Sequence, residues 1–317
     1  MKQIVVIGGG SGTFNVLKGL KQYPVSITAI VTTFDNGGST GILRDEFGML
    51  PSGDIRRCLV ALAPDTGDST LRDLFNFRFK NDSSLHGHSF GNLLLQALTS
   101  ISGSEIGAIK KASQLLNIKG TVLPVSIDDA HVCAELENGE IIKGETNIDK
   151  PKHNGEVRIK RIYLEPHATM YEEAYTAIRQ ADLIVFGPGD LYTSIVPNVL
   201  VKGFTDALSE SKAQIAYVVN VMTKWGETNG FTASHFVAEL LHYLKKDLID
   251  YVICNNATIP HSVQEKYTLE KAFPVKVDIE ALEKKASHII MEDLLHASDI
   301  VRHDSKKLAH ALLSILG

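Results

Sequence analysis

The chain has 317 residues, 44% of them hydrophobic and 22% charged. That is an ordinary globular balance with ample material for a core, and it excludes a disordered, collagen-like or disulfide-dense chain. With 32 Lys and Arg against 37 Asp and Glu, the net charge of −5 supplies no broad positive field, so neither nucleic acid nor a membrane surface is an expected partner.

Ile4 to Ile7 (IVVI) is a short continuous apolar run, the pattern of a strand buried on both faces of a parallel sheet. Gly8 to Gly12 (GGGSG) turns the chain, Val16, Leu17 and Leu20 follow at helical spacing, and Ile27 to Val31 (ITAIV) completes a βαβ unit. Helices dominate residues 53 to 117, with Asp54 and Thr70 as N-caps for IRRCLVALA and LRDLFNFRF. SFGNLLLQALTSI carries another apolar stripe, and a further helix is predicted over 104–117. Between 121 and 165 the texture changes: VLPV, HVCAEL, EIIKGET and VRIKRIYL read as short strands, with Asn138-Gly139 as a two-residue hairpin turn. Alternation then resumes. A helix from Tyr171 to Gln180 precedes LIVF (183–186), and one from Val199 to Ser209 precedes IAYVVNV (215–221). A helix carrying Phe236, Val237, Leu240, Leu241 and Leu244 precedes IDYVIC (249–254), and the last helix, from Ser305, carries Leu308, Leu312, Leu313 and Leu316.

Repeated strand–helix units predict an α/β fold: a Rossmann-like, doubly wound, mostly parallel sheet, with a small antiparallel β elaboration over 121–165. No linker or low-complexity tract interrupts the chain, so a single domain over 1–317 is expected. Cys58, Cys133 and Cys254 lie far apart without a CxxC pair, which suits buried thiols of a cytoplasmic protein. No apolar run reaches the ~18 residues of a membrane helix, and the first residues enter a strand without an export-signal pattern.

In open α/β sheets ligands bind beyond the carboxyl ends of the strands, where strand order reverses. Four turns after apolar strands are rich in Gly and small polar residues. In the first, GGGSGT (8–13), glycines let the backbone approach an anion at a helix N-terminus, although a tight turn alone also needs glycine. The dinucleotide fingerprint is incomplete, because Thr13 stands in place of the last glycine and Thr32-Thr33 in place of the ribose-binding acid; an NAD oxidoreductase is disfavoured. The second, FDNGGSTG (34–41), offers Asp35 to a ribose hydroxyl or a divalent ion, or forms a self-satisfied Asx loop. Downstream, Arg44, Arg56 or Arg57 can meet a phosphate or form ion pairs. The third, GPGDLYTS (187–194), presents the Tyr192 ring for stacking and the Thr193 and Ser194 hydroxyls. The fourth, NVMTKWGETNG (220–230), holds Glu227, Thr228 and the only tryptophan, Trp225. His86-Gly87-His88 lacks metal-ligand spacing; His88-Ser89 reads as a polar helix entrance with Asn92 one turn on. No serine-hydrolase elbow, zinc-protease or P-loop motif occurs. No catalytic residue is singled out and no metal site is expected.

IVVIGGGSGTFNVLKGL, TTFDNGGSTGILRDEFGMLPSGDIRRCLVAL, GHSFGNLLLQAL, ADLIVFGPGDLYTSIVPNVL, NVMTKWGETNGFTASHF and VRHD follow one another from near residue 1 to the C-terminus. Together they resemble the YvcK family of bacterial gluconeogenesis factors, within the CofD-like superfamily. The resemblance implies a cytoplasmic, homodimeric protein that binds a nucleotide sugar, UDP-N-acetylglucosamine in the better understood members, and needs no cofactor. It also implies a role in cell shape and envelope synthesis on gluconeogenic carbon sources, through a protein partner that no motif identifies. Carried over by motif are Gly9, Gly10 and Gly12; Asn36, Gly37, Gly38 and Ser39; Gly187, Pro188, Gly189, Tyr192, Thr193 and Ser194; and Asn220 with Thr223, while the reading of the turns themselves adds Ser11, Asp35, His88 and Asn92 to the ligand-binding set. Tyr267 and Arg302 stand where the family places uridine-nucleotide contacts; a ring suits the uracil and a guanidinium fork a phosphate.

The alternative is the CofD branch, whose members move a phospholactyl group from a guanosine diphosphate derivative to a deazaflavin alcohol with Mg²⁺. They carry two adjacent acids where this chain has Asp35-Asn36, and one lost carboxylate weakens a divalent-metal site. Smaller departures from the YvcK pattern are Phe34, the run GGGSGTFN, and Trp225-Gly226 before Glu227.

Overall fold

The apolar runs become strands because both of their faces are covered. In the computed structural model, described for residues 1–47, 50–65, 67, 69–80, 85–296 and 300–317, β1 (Gln3–Gly8) sends Ile4 and Val6 into one core and Val5 and Ile7 into the other. The first core is closed by helices 10–20, 53–62, 90–102, 105–115 and 305–314. The second is closed by helices 172–180, 204–210 and 233–244 together with a small second sheet.

The other strands are β2 (Ser26–Val31), β3 (Thr121–Pro124), β4 (His131–Leu136), β5 (Ile141–Lys143), β6 (Ile159–Glu165), β7 (Leu183–Phe186), β8 (Gln214–Val218), β9 (Ile249–Asn255) and β10 (Ala286–Glu292). Seven form one sheet in the order β10-β9-β8-β7-β1-β2-β3, every pair parallel. The chain builds outward from β1 to β3, then returns to the centre and builds outward from β7 to β10. Strand order therefore reverses between β1 and β7, the Rossmann-like arrangement. The antiparallel sheet β5-β4-β6 packs Val132, Ala134, Leu136, Ile162 and Leu164 into the second core.

Several local expectations change. VLPV belongs to the main sheet, with β3 pairing β2 in parallel from Thr28–Thr121 to Val31–Pro124, so the elaboration begins at β4 and not at 121. The Asn138-Gly139 hairpin has a three-residue loop: Leu136 N–H donates to the Glu140 carbonyl, and Gly139 takes a φ of +86°. Asp54 lies inside the first turn of helix Gly53–Leu62, whose N-cap is Ser52, and Ser69 precedes helix Thr70–Asn76. The region expected as one helix from Val199 to Ser209 is divided: Leu191–Ile195 and Val196–Val199 are already helical, and Phe204–Glu210 starts anew after Gly203. Helices Gly38–Phe47 and His261–Leu269 and strand β10 add to the elements that the apolar patterning predicts. All three cysteines are free and buried, and no described helix is long and apolar enough to cross a membrane.

One hydrogen bond ties the small sheet to the main body. Ile162 N–H on β6 donates to the Tyr243 hydroxyl at 2.8 Å. Tyr243→Phe leaves that amide unpartnered and is expected to lower stability by about 1–2 kcal/mol. Urea unfolding measures it, and an unchanged midpoint would mean that the amide finds water instead.

Candidate functional site at the reversal of strand order

The turns after β1 and β7 meet where strand order reverses. Gly10 opens helix Gly10–Leu20 with a φ of +69°, a conformation that side chains disfavour. At Gly12 a Cβ would collide with the Pro188 carbonyl oxygen, so glycine is what lets the two turns touch. Asn220, beyond β8, joins them by accepting the Gly189 N–H at 3.2 Å. Asp54 lies beneath the first turn, where its carboxylate accepts the Gly10 N–H and pairs with Arg57 at 3.2 Å. Burial pushes the Asp54 carboxyl above the usual range, and Arg57 pulls it back.

Two recesses open over these turns, of about 200 and 420 Å³, together within the span of small-molecule sites. The first is lined by Gly9, Gly10, Ser11, Gly12, Pro188, Gly189, Asn220, Tyr267 and Arg302. Tyr267, on helix His261–Leu269, accepts the Val301 N–H at 3.0 Å and so fixes the segment that carries Arg302. Arg302 is exposed, and among the described residues no ion pair engages its guanidinium. The other reading of an arginine in VRHD is an ion pair with Asp299 or Asp304; Asp304 caps the last helix, accepting the Lys306 and Lys307 N–H groups, and Asp299 lies outside the described residues.

The second recess is lined by Asp35, Gly37, Gly38, Ser39, Asn92 and Thr193, with Arg56, Arg57, Arg78 and Glu145. Gly10, Ser11, Asp190 and Ser194 border both. Glu145 is pushed up to about 9, chiefly by burial and then by the Asp35 carboxylate hydrogen-bonded to it. Arg56 is pulled down to about 10 by burial beside Arg57 and Arg78; it donates to Asn92 Oδ1 at 3.0 Å and to the Phe75 carbonyl at 3.0 Å. Among the described residues, Asp149, Asp190 and Glu227 form the one group whose three ligand oxygens lie within 4.8 Å of one another, and the Lys224 ammonium sits among them.

Other sequence candidates lie off the recess walls. The Tyr192 ring is 1% exposed and packed in the second core, so it does not offer a stacking face; its helical turn aims it inward with Leu191 and Ile195. Gly187 shapes the turn behind Pro188 with a φ of +72°. Asn36 accepts the Thr146 N–H at 3.0 Å. His88 Nδ1 lies 3.1 Å from the Ser39 hydroxyl, which places it behind the second recess. Thr223 accepts the Phe273 N–H at 2.9 Å. Arg44 is buried against Asp129 and the Ala130 carbonyl, away from any phosphate path. The site also takes in residues that the motifs do not single out: Asp190 in GPGD, which borders both recesses, buried His303 in VRHD, which lines the first, and Glu145, which nothing local marks.

Residues 4–295 match the family described as 2-phospho-L-lactate transferase CofD. The chain belongs to the CofD family. It is 43% identical over 314 residues to a protein named gluconeogenesis factor from Halalkalibacterium halodurans, covering 98% of this chain and 96% of the relative. A gluconeogenesis factor from Bacillus subtilis is 40% identical over 316 residues, covering 99% and 98%. The crystal structure of a UPF0052-family protein from Bacillus halodurans superposes with a TM-score of 0.93 at 42% identity, covering 99% of this chain and all of that one. The resemblance to gluconeogenesis factors thus extends over the whole CofD-family fold.

The Asp35–Glu145 pair makes this CofD-family site pH-sensitive. A carboxyl raised from 4.5 to about 9 keeps its proton in the folded chain while the unfolded chain releases it, so stability falls as pH rises through that window. Glu145→Gln removes this loss, and its unfolding midpoint is expected to gain on the native chain between about pH 5 and pH 9. Parallel pH profiles in urea unfolding would show that Glu145 titrates normally.

Proposed function

We propose that this CofD-family protein is a regulatory gluconeogenesis factor that binds a nucleotide sugar of the UDP-N-acetylglucosamine type. The observation that carries the reading is the pair of joined recesses at the reversal of strand order. One end presents the Tyr267 ring and the Arg302 guanidinium, suited to a base and a phosphate. The glycine turn and helix N-terminus lie at the junction, where a diphosphate gains from the amides of the first turn beyond Gly10 and from the dipole. The other end offers Asp35, Ser39 and Asn92, short polar groups of the kind that recognise hydroxyls. The names of the relatives support the gluconeogenic role. In this reading the protein works in the cytoplasm as a homodimer, needs no cofactor, and passes nucleotide-sugar supply to cell-shape and envelope synthesis through a protein partner.

The transferase reading keeps one supporting observation, the description of the matched family. Against it stands Asn36, whose amide oxygen is committed to the Thr146 N–H where the transferase branch has a second carboxylate.

Calorimetry with UDP-N-acetylglucosamine tests the proposal. Micromolar binding is expected. Arg302→Ala should weaken it about tenfold, the value of one charge-assisted contact, with the melting temperature unchanged. Unchanged affinity would remove Arg302 from the site, and consumption of a guanosine-diphosphate-linked donor would replace the regulatory reading with the transferase one.

A further inference from the structure

The loop after β8 sends the Lys224 side chain into a gap between three carboxylates. Its Nζ lies 2.8 Å from Asp190 Oδ2 and 3.0 Å from Glu227 Oε1, and it also bonds Asp149 Oδ1. The three acids come from separate parts of the fold. Asp149 ends the short helix Glu145–Asp149 between β5 and β6, Asp190 follows the Gly-Pro-Gly turn after β7, and Glu227 lies three residues after Lys224 with its side chain fully buried.

Three carboxylate oxygens within 4.8 Å have the spacing of ligands around one hard cation. Left without a positive charge, such a group repels itself, the more so when one member is buried. Lys224 supplies that charge from within the chain, and the three acids hold its ammonium far above the usual lysine range. Burial pushes Glu227 up to about 7, against the pull of Lys224. The cluster also borders the ligand path, since Asp190 lines both recesses and Asp149 lines the second. A divalent ion cannot enter the triad while the ammonium stands there, and the Asp35 carboxylate beside Asn36 is engaged by its hydrogen bond to Glu145.

We propose that Lys224 is a built-in counter-ion, standing where a divalent cation would otherwise sit behind the Asp190 wall shared by the two recesses, so that this chain binds its phosphate-bearing ligand without metal. The second half rests on the nucleotide-sugar reading; the first concerns the triad alone and is tested without nucleotide.

Mn²⁺ is titrated by electron paramagnetic resonance into the native chain, Lys224→Met and Lys224→Arg, with circular dichroism as the check on folding. The native chain and Lys224→Arg are expected to take up no stoichiometric Mn²⁺, whereas Lys224→Met gains one ion per chain. Calorimetry with UDP-N-acetylglucosamine in EDTA and in Mg²⁺ is expected to give equal affinities for the native chain, and about tenfold tighter binding in Mg²⁺ for Lys224→Met. A stoichiometric Mn²⁺ site in the native chain that Asp190→Asn abolishes would overturn the proposal. So would a folded Lys224→Met that binds no Mn²⁺, or native binding that requires Mg²⁺; the last measurement needs no variant to fold. Failure of the native chain to bind the nucleotide under either condition would refute the proposed function and leave the Mn²⁺ comparison standing.

Discussion

Burial of β1 and β7 on both faces is the constraint from which the rest follows. A parallel strand so placed cannot turn back by a hairpin, and each crossover must carry a helix over one face. Starting at the centre and building outward in two directions leaves one gap where consecutive crossovers diverge. At that gap the crossover helices part, and the turns after β1 and β7 cover the carboxyl ends. The close approach of Gly12 to Pro188 is how two backbones share the space, and it leaves room above them for a ligand.

A chain of net charge −5 can still attract an anion there, because the field is local. Arg56, Arg57 and Arg78 gather at the second recess, Arg302 at the first, and a helix N-terminus lies between. The acids in the same walls are mostly answered: Asp54 by Arg57 and the Gly10 amide, Asp149 and Asp190 by Lys224. Asp35 and Glu145 share a hydrogen bond, and the pull of the Lys224 ammonium on Glu145 is outweighed by burial and the Asp35 charge.

Much of this was legible in the sequence, for physical reasons that also mark where it stopped. IVVI and LIVF announced central strands because burial on both faces leaves no polar position in the run, and ITAIV and IDYVIC kept the signal with polar residues only at their partly buried positions, Thr28 and Asp250. ASHIIME did not, because β10 is an edge strand with most of its residues partly exposed, and Ser287 and His288 interrupt the pattern. The glycine turns were visible as local chemistry, and the switch-point rule located the recesses. What escaped depends on contacts across long stretches of chain. Asp54 looked like a cap, since an acid before an apolar helix usually is one, yet its partner is Gly10. Tyr192 looked available for stacking beside a glycine-rich bend, but a helical turn with Leu191 and Ile195 buries it. The Lys224 cluster assembles residues from 149 to 227, and no spacing rule spans that distance.

The small antiparallel sheet contributes to more than the core. Between β5 and β6 it carries Glu145, Thr146 and Asp149, all of which border the second recess. A molecule seated there touches an inserted unit on one side and the central turns on the other. Its binding free energy is therefore shared with the docking of that unit, by the amount RT ln(1 + [L]/Kd) for any ligand that favours the docked form. The recess wall thus joins the glycine turn to the segment between β5 and β6, and a ligand that fills it bears on both.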